Sequence, residues 1–287
     1  MIGYEAIKST VDKYDSQIDG LIDNISFDQA SHFARASTSS IAWVQSGDQT
    51  TNANLVITSP ETKISGAEVV IRTENSKGLF ADLVNEFLVP KNQGGIHPSA
   101  VIDPEANIHP DAYVGPNCVI GKAEIGAGTV LDGNIFVYDN VKIGQIVRIA
   151  AGAVIGAQGS GLVKNSEQNW IPFPQMGGVI LEDFVSVGAN SYIARGALQD
   201  TVIGAHTHIG LSCCVAHNVR IGSNTLLLAN SVICGSAIIG SDVWISPGSS
   251  IMNKVTIGDG AMVGQGSNVV KDVAPQAKVY GNPAKAK

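Results

Sequence analysis

From residue 102 onward, large aliphatic residues return every six positions. They stand at Ile102, Ile108, Val114 and Ile120, and after one skipped residue at Ile125, Leu131, Val137, Ile143, Ile149 and Ile155. After a break the series restarts at Leu181, Val187 and Ile193. Following a four-residue insertion it continues at Ile203, Ile209, Val215, Ile221, Leu227, Ile233, Ile239, Ile245, Ile251, Ile257, Val263 and Val269. Six is not a helical period. It is three strand alternations, enough for a short strand and a turn, and a residue two places before each aliphatic points to the same side. From Ile209 onward that earlier residue is always small or β-branched, as at Thr207, Cys213, Thr225 and Ser249. Gly follows the aliphatic at 204, 210, 222, 240, 258 and 264, where it is expected to give a tight corner its backbone freedom. Three repeats then close one triangular coil of eighteen residues. Stacked coils pair their strands in parallel and fill the interior with ladders of Ile, Val and Leu. The pattern predicts a mainly β protein built on a hexapeptide parallel β-helix.

The first 94 residues lack this period and predict a small α/β domain. Glu5 to Tyr14 reads as a helix with Ile7, Val11 and Tyr14 on one face. Ser40 to Gln45, Leu55 to Thr58 and Val69 to Arg72 read as short strands. Leu79 to Leu88 is an amphipathic helix stopped by Pro90. Lys91-Asn-Gln-Gly-Gly forms the linker. The expected division is 1–94, a β-helix over 95–273 and a C-terminal tail over 274–287. An inserted loop over 157–178 interrupts the coils, and its Trp-Ile-Pro-Phe-Pro content argues for a packed loop.

Composition narrows the function classes. Charged residues are only 15% and hydrophobic residues 44%, which excludes a disordered chain. A net charge of −7 argues against nucleic-acid binding. The stretch from Lys254 to the end is the exception, with five lysines against two aspartates, and it points to an anionic ligand. The four cysteines lack C-x-x-C spacing and sit in apolar stretches as small hydrophobes. No basic n-region with an apolar run opens the chain, and no apolar run reaches membrane-spanning length, so a cytoplasmic protein is expected.

A β-helix has no closed pocket of its own. Its faces become clefts where molecules pack side by side, so a homotrimer is expected. Among six histidines, His97 and His109 stand in I-H-P turns and read as corner residues. His206 and His208 share one repeat. His217 follows the interior Val215 by two, and neutral imidazole is a good general base near pH 7. Adding one coil to 217 gives Gly235, and another gives Asn253. A base, a position without a side chain and an amide, about 5 Å apart per step, suit acyl transfer: the base takes the proton of an attacking amine and the backbone N–H at Gly235 holds the oxyanion. No Ser-His-Asp or Cys-His arrangement, P-loop or metal-ligand cluster is evident, so no metal is expected.

Further residues carry a family resemblance. Gly95-Ile-His-Pro-Ser-Ala-Val-Ile-Asp, Asn169-Trp-Ile-Pro-Phe-Pro-Gln-Met-Gly, Ile193-Ala-Arg-Gly-Ala-Leu-Gln-Asp-Thr and Val215-Ala-His-Asn-Val-Arg-Ile-Gly resemble the UDP-3-O-acylglucosamine N-acyltransferases of lipid A synthesis over about residues 95 to 260. The resemblance implies a left-handed coil sense, a homotrimer, a nucleotide-binding first domain, His217 as general base and Gly235 as the amide that binds the acyl carbonyl. Departures accompany it. Ala194 stands for the family's Asp, Gly210 and Leu211 for its Asp-Asn pair, and Lys254 for a second histidine. Trp43 keeps the family's aromatic for the nucleotide base, while the Tyr that follows is lost. Val243-Trp-Ile-Ser-Pro-Gly, Ile257-Gly-Asp-Gly-Ala and Val279-Tyr-Gly-Asn-Pro-Ala-Lys look instead like hexapeptide acetyltransferases that use acetyl-CoA.

The sequence reading is therefore an N-acyltransferase moving a short acyl group, acetyl first, from acyl-CoA to a nucleotide-linked amino sugar for surface polysaccharide. Catalysis falls to His217 and Gly235, donor binding to Asn253, Lys254, Lys278 and Lys285, and nucleotide-sugar binding to Trp43 and Asn218. Three alternatives stand beside it: the lipid A N-acyltransferase using acyl carrier protein, an O-acyltransferase, and a non-catalytic β-helix scaffold.

Overall fold

The computed structural model describes residues 1–90 and 94–286, and the chain divides into two compact units. Lys91, Asn92 and Gln93 of the expected linker lie outside the described residues.

In the first unit, helix α1 spans Tyr4–Val11 and α2 spans Ser76–Phe87. Helix α2 begins three residues before the expected Leu79 because Asn75 caps it, its side chain accepting the Gly78 N–H at 3.1 Å. Strands Gln29–Ala30, Ser40–Val44, Leu55–Thr58 and Val69–Arg72 run parallel in that spatial order, and Gln17–Asp19 adds an antiparallel edge. Strand alternation sends Ile41, Leu55, Ile57, Val69 and Ile71 to one side, against Ile7, Val11, Leu79 and Leu83 of the helices. Ala42, Val44, Val56 and Val70 face the other side and pack with Phe33 and Ile64.

The second unit is the parallel β-helix. Its coils visit three faces in turn. Among the described residues the first face has eleven strands, from Gly95–Ile96 to Lys285–Ala286; the second has nine, from Val101–Ile102 to Asn268–Val269; the third has eight, from Asn107–Ile108 to Thr256–Ile257. In the two-residue coil strands from Tyr113–Val114 to Asn268–Val269 the aliphatic points inward and is buried, while the residue before it is in most cases partly or fully exposed. One continuous core from Ala112 to Val279 results. The small residues two before each aliphatic fill the interior beside the corners. Where they carry hydroxyls, these donate to corner carbonyls, as Thr207 Oγ1 does to Gly222 O at 2.7 Å and Thr225 Oγ1 to Gly240 O at 2.8 Å. Buried polar groups stay satisfied in this way.

The corners differ from expectation in one respect. Left-handed backbone falls three residues after the aliphatic, at His206, Ser212, Asn218, Asn224, Asn230, Ser236, Asp242, Gly248, Lys254, Gly260 and Gly266. Small polar residues dominate there because their side chains tolerate that conformation. The Gly directly after the aliphatic serves another purpose, the close stacking of coils. A Cβ on Gly222 would lie 2.6 Å from the Ser241 backbone nitrogen.

The insertion over 157–178 is an antiparallel hairpin, Leu162–Lys164 with Trp170–Pro172. Its apolar side chains do not pack onto the chain's own coils: Trp170 is 65% exposed and Met176 72%. Its base is anchored where Gln175, almost fully buried, accepts the Gly159 N–H at 2.6 Å. Nor are the last residues a free tail. Lys278–Tyr280 pairs in parallel with Met262–Val263, and Lys285–Ala286 turns back along it.

Candidate active site

The corner between the second and third faces carries the candidate chemistry. Val215, Ile233 and Ile251 are aligned by strand register, so His217, Gly235 and Asn253 form one column, as the coil arithmetic expects. Ser236 N–H donates to His217 O at 2.9 Å and Lys254 N–H to Gly235 O at 3.1 Å, which ties the three levels together. The His217 ring lies against Gly235. A Cβ at 235 would be 2.8 Å from both Cε1 and Nε2 of the imidazole. Glycine is required here because the ring occupies the space of a side chain.

The Gly235 N–H meets no acceptor among the described residues. It therefore sits beside the imidazole as a donor without a partner, the arrangement an oxyanion needs. The imidazole Nδ1 is buried and also lacks a partner among the described residues. For Nε2 to act as a base, neutral imidazole must hold its proton on Nδ1. The chain places Ala194, fully buried, where the resemblance expects a carboxylate.

Asn218 adopts left-handed backbone beside the histidine. Its Oδ1 accepts the Ala197 N–H at 2.6 Å, and its own N–H donates to Thr201 Oγ1 at 2.9 Å. The segment it holds is bonded in turn to the return end of the hairpin, since Gly177 N–H donates to Gly196 O at 3.1 Å and Gly178 N–H to Asp200 Oδ1 at 2.7 Å. Asn218 thus joins the histidine corner to the insertion, and with Phe173, Ala197, Leu198 and Gln199 it lines an open groove of about 410 Å³. Arg195 secures the base of the same insertion, giving Nε to Gly156 O at 2.7 Å and Nη2 to Asp139 O at 2.6 Å. Sequence reasoning missed this role. The only signal was an arginine at the third repeat after the break.

The structure separates the candidate donor-binding lysines. Lys254 sits at the His217 corner, directly after Asn253, whereas Lys278 and Lys285 lie on strands of the first face. One more step of coil arithmetic above Asn253 reaches Lys271, an exposed cation that sequence reasoning counted without placing. Trp43 belongs to the first unit. Its Nε1 donates to Ser76 Oγ at 3.2 Å, and Lys77 Nζ stands 5.8 Å from the ring centroid. Of the other histidines, the Nδ1 of His97 accepts Ser99 N–H at 3.2 Å and that of His109 accepts Asp111 N–H at 3.1 Å, so both brace their turns. Burial pushes the Cys118, Cys213 and Cys214 thiols up, as fits their packing.

The bacterial transferase hexapeptide family (six repeats) matches residues 236–271. A UDP-3-O-acylglucosamine N-acyltransferase of Coxiella burnetii (strain Dugway 5J108-111) is 37% identical over 174 residues, covering 53% of this chain and 51% of that protein. The chain thus spans about half the length of such curated relatives. The protein of the same name from Hydrogenovibrio crunogenus is 37% identical over 225 residues, covering 70% of this chain and 64% of its own. Among solved structures, the UDP-N-acetylglucosamine O-acyltransferase of Moraxella catarrhalis RH4 is similar with a TM-score of 0.63 and 33% identity, over 67% of this chain and 73% of that one. No described helix is long and apolar enough to cross a membrane.

Proposed function

The chain belongs to the bacterial hexapeptide-repeat transferases, and from that membership we propose that it is an N-acyltransferase acting on a UDP-linked, 3-O-acylated amino sugar. The observation that carries the reading is the His217 ring lying against Gly235, whose N–H is unengaged. The names of the sequence relatives favour this acceptor over the acetyl transfer that the last coils suggest.

In the proposed reaction the acceptor amine attacks the carbonyl carbon of an acyl thioester. His217 Nε2 takes the amine proton as the C–N bond forms. The carbonyl oxygen becomes an oxyanion held by the Gly235 N–H. Collapse breaks the C–S bond, and the imidazolium returns its proton to the departing thiolate. The amino sugar is assigned to the groove beside Asn218, Leu198 and Gln199. The first unit, taken by itself, is assigned as a nucleotide-binding domain, with Trp43 as its aromatic for a base. Asn253, Lys254 and Lys271 lie further along the column, where cations suit the phosphate of a phosphopantetheine arm. That arm is common to acyl carrier protein and CoA. Lys278 and Lys285, on another face, have no part in that assignment within one chain. A homotrimer supplies the second wall that the open corner lacks.

A second reading, transfer of a short acyl group from CoA, is favoured by the last coils, where Val243-Trp-Ile-Ser-Pro-Gly and Val279-Tyr-Gly-Asn-Pro-Ala-Lys look like hexapeptide acetyltransferases. The deciding experiment supplies purified protein with UDP-3-O-acylglucosamine and, separately, hydroxyacyl carrier protein or acetyl-CoA, and measures amide formation by mass spectrometry. Amide from carrier protein supports the first reading, and amide from acetyl-CoA alone moves the donor to CoA. An equal rate with His217→Ala would overturn both.

A further inference from the structure

A different face of the β-helix carries a second set of ligand-type groups. Arg148, Ser186, His208, Leu226 and Trp244 are consecutive outward residues of the first face, aligned rung by rung through strand register. We propose that this ladder binds a nucleoside diphosphate, with its phosphates between Arg148 and His208 and its base on Trp244.

The phosphate end rests on donors without competing partners. Arg148 is exposed, and its guanidinium makes no ion pair or hydrogen bond among the described residues. Ser186 Oγ lies 2.5 Å from His208 Nδ1. With the hydroxyl donating to Nδ1, the imidazole carries its proton on Nε2 and presents an N–H outward. The guanidinium and this N–H lie two rungs apart, about 10 Å along the sheet, which suits two linked phosphoryl groups better than one. Ala150 and Gly188 keep the strip beside them low, and the resulting groove encloses about 280 Å³. Asp132 also lines the groove, at its lower end. Its charge repels phosphate and confines the anion to the span from Arg148 to His208.

The base end rests on Trp244. The indole is 44% exposed, and its Nε1 donates to Ser246 Oγ at 3.0 Å, so its orientation is set while its surface stays open. It stands two rungs above His208, with the half-buried Leu226 between them. That interval is the place of a ribose. Stacking of a base on an open indole gives affinity without demanding one base. The site is independent of the acyl-transfer reading. The nucleotide has two chemical sources, a uridine diphosphate and the adenosine diphosphate portion of CoA.

The test labels the whole protein with 5-fluorotryptophan, giving one fluorine for each of Trp43, Trp170 and Trp244. Trp244→Phe assigns its signal. UDP, ADP and pyrophosphate are titrated separately. The expected result is a saturable shift of the Trp244 signal with UDP or ADP, the tighter of the two naming the source. Pyrophosphate should compete, and Arg148→Gln should weaken binding roughly tenfold to a hundredfold. Unchanged Trp43 and Trp170 signals in that variant show that it folds. A Trp244 signal that no nucleotide moves would overturn the site, as would nucleotide shifts confined to Trp43. So would an affinity that Arg148→Gln leaves unchanged.

Discussion

Two corners of the β-helix share one backbone and differ in what they leave unfinished. At the corner from third to first face, the N–H groups two residues after the aliphatic are capped by side chains. Ala205 N–H donates to Glu182 Oε2 at 3.0 Å, Ser223 N–H to Ser241 Oγ at 3.2 Å and Ser241 N–H to Asp259 Oδ1 at 2.8 Å. At the equivalent place on the corner from second to third face, Gly235 N–H has no such cap, and an imidazole lies over it instead. The first corner uses its donors to hold coils together. The second keeps a donor free where a ligand can reach it. Chemistry on a repeat scaffold follows from the positions where the repeat declines to satisfy itself.

The largest expected effect comes from removing the base. His217→Ala should lower kcat by roughly 10² to 10⁴-fold with little change in melting temperature, measured by amide formation and thermal unfolding. Gly235→Ala keeps the N–H but puts a methyl 2.8 Å from the imidazole ring. The displaced ring should cost about a hundredfold in kcat. An unchanged kcat would show that ring placement over residue 235 is irrelevant.

Asn218→Ala removes the acceptor of the Ala197 N–H and the link to the hairpin. A loss of about tenfold in kcat/KM is expected with a lower melting temperature, since a lost hydrogen bond costs about 1 kcal/mol. Asn218→Gly, which keeps the left-handed backbone, should recover stability better than turnover. The capped corner supplies the contrast. Asp259→Ala should cost roughly 0.5–1 kcal/mol in denaturant unfolding and leave kcat unchanged; a loss of activity there would erase the distinction between the corners. Smallest of all, native protein at pH 7 should keep Cys118 and Cys213 unalkylated by iodoacetamide, because burial holds these thiols protonated. Their early modification by mass spectrometry would contradict the packing.

The candidate site was legible as far as periodicity reaches. Eighteen-residue arithmetic placed His217, Gly235 and Asn253 in one column because parallel register repeats without slip. The same arithmetic extended once more reaches Lys271. The hairpin was legible as an interruption, but not its outward apolar faces, which depend on what surrounds the chain. Helix α2 was found late because its start is set by Asn75, a polar cap outside the hydrophobic pattern.

The sequence by itself determined the coil, since a six-residue alternation of large and small inward residues has few other ways to bury its aliphatics. It also determined which residues share a level. Tertiary structure decided what those levels do. Whether a glycine relieves strain or admits a neighbour depends on the coil above it, as Gly222 and Gly235 show in different ways. Whether a lysine joins the histidine depends on the face it occupies, and that separates Lys254 from Lys278 and Lys285. Spacing along a chain fixes register, but hydrogen bonds and exposure arise only between coils brought together in space.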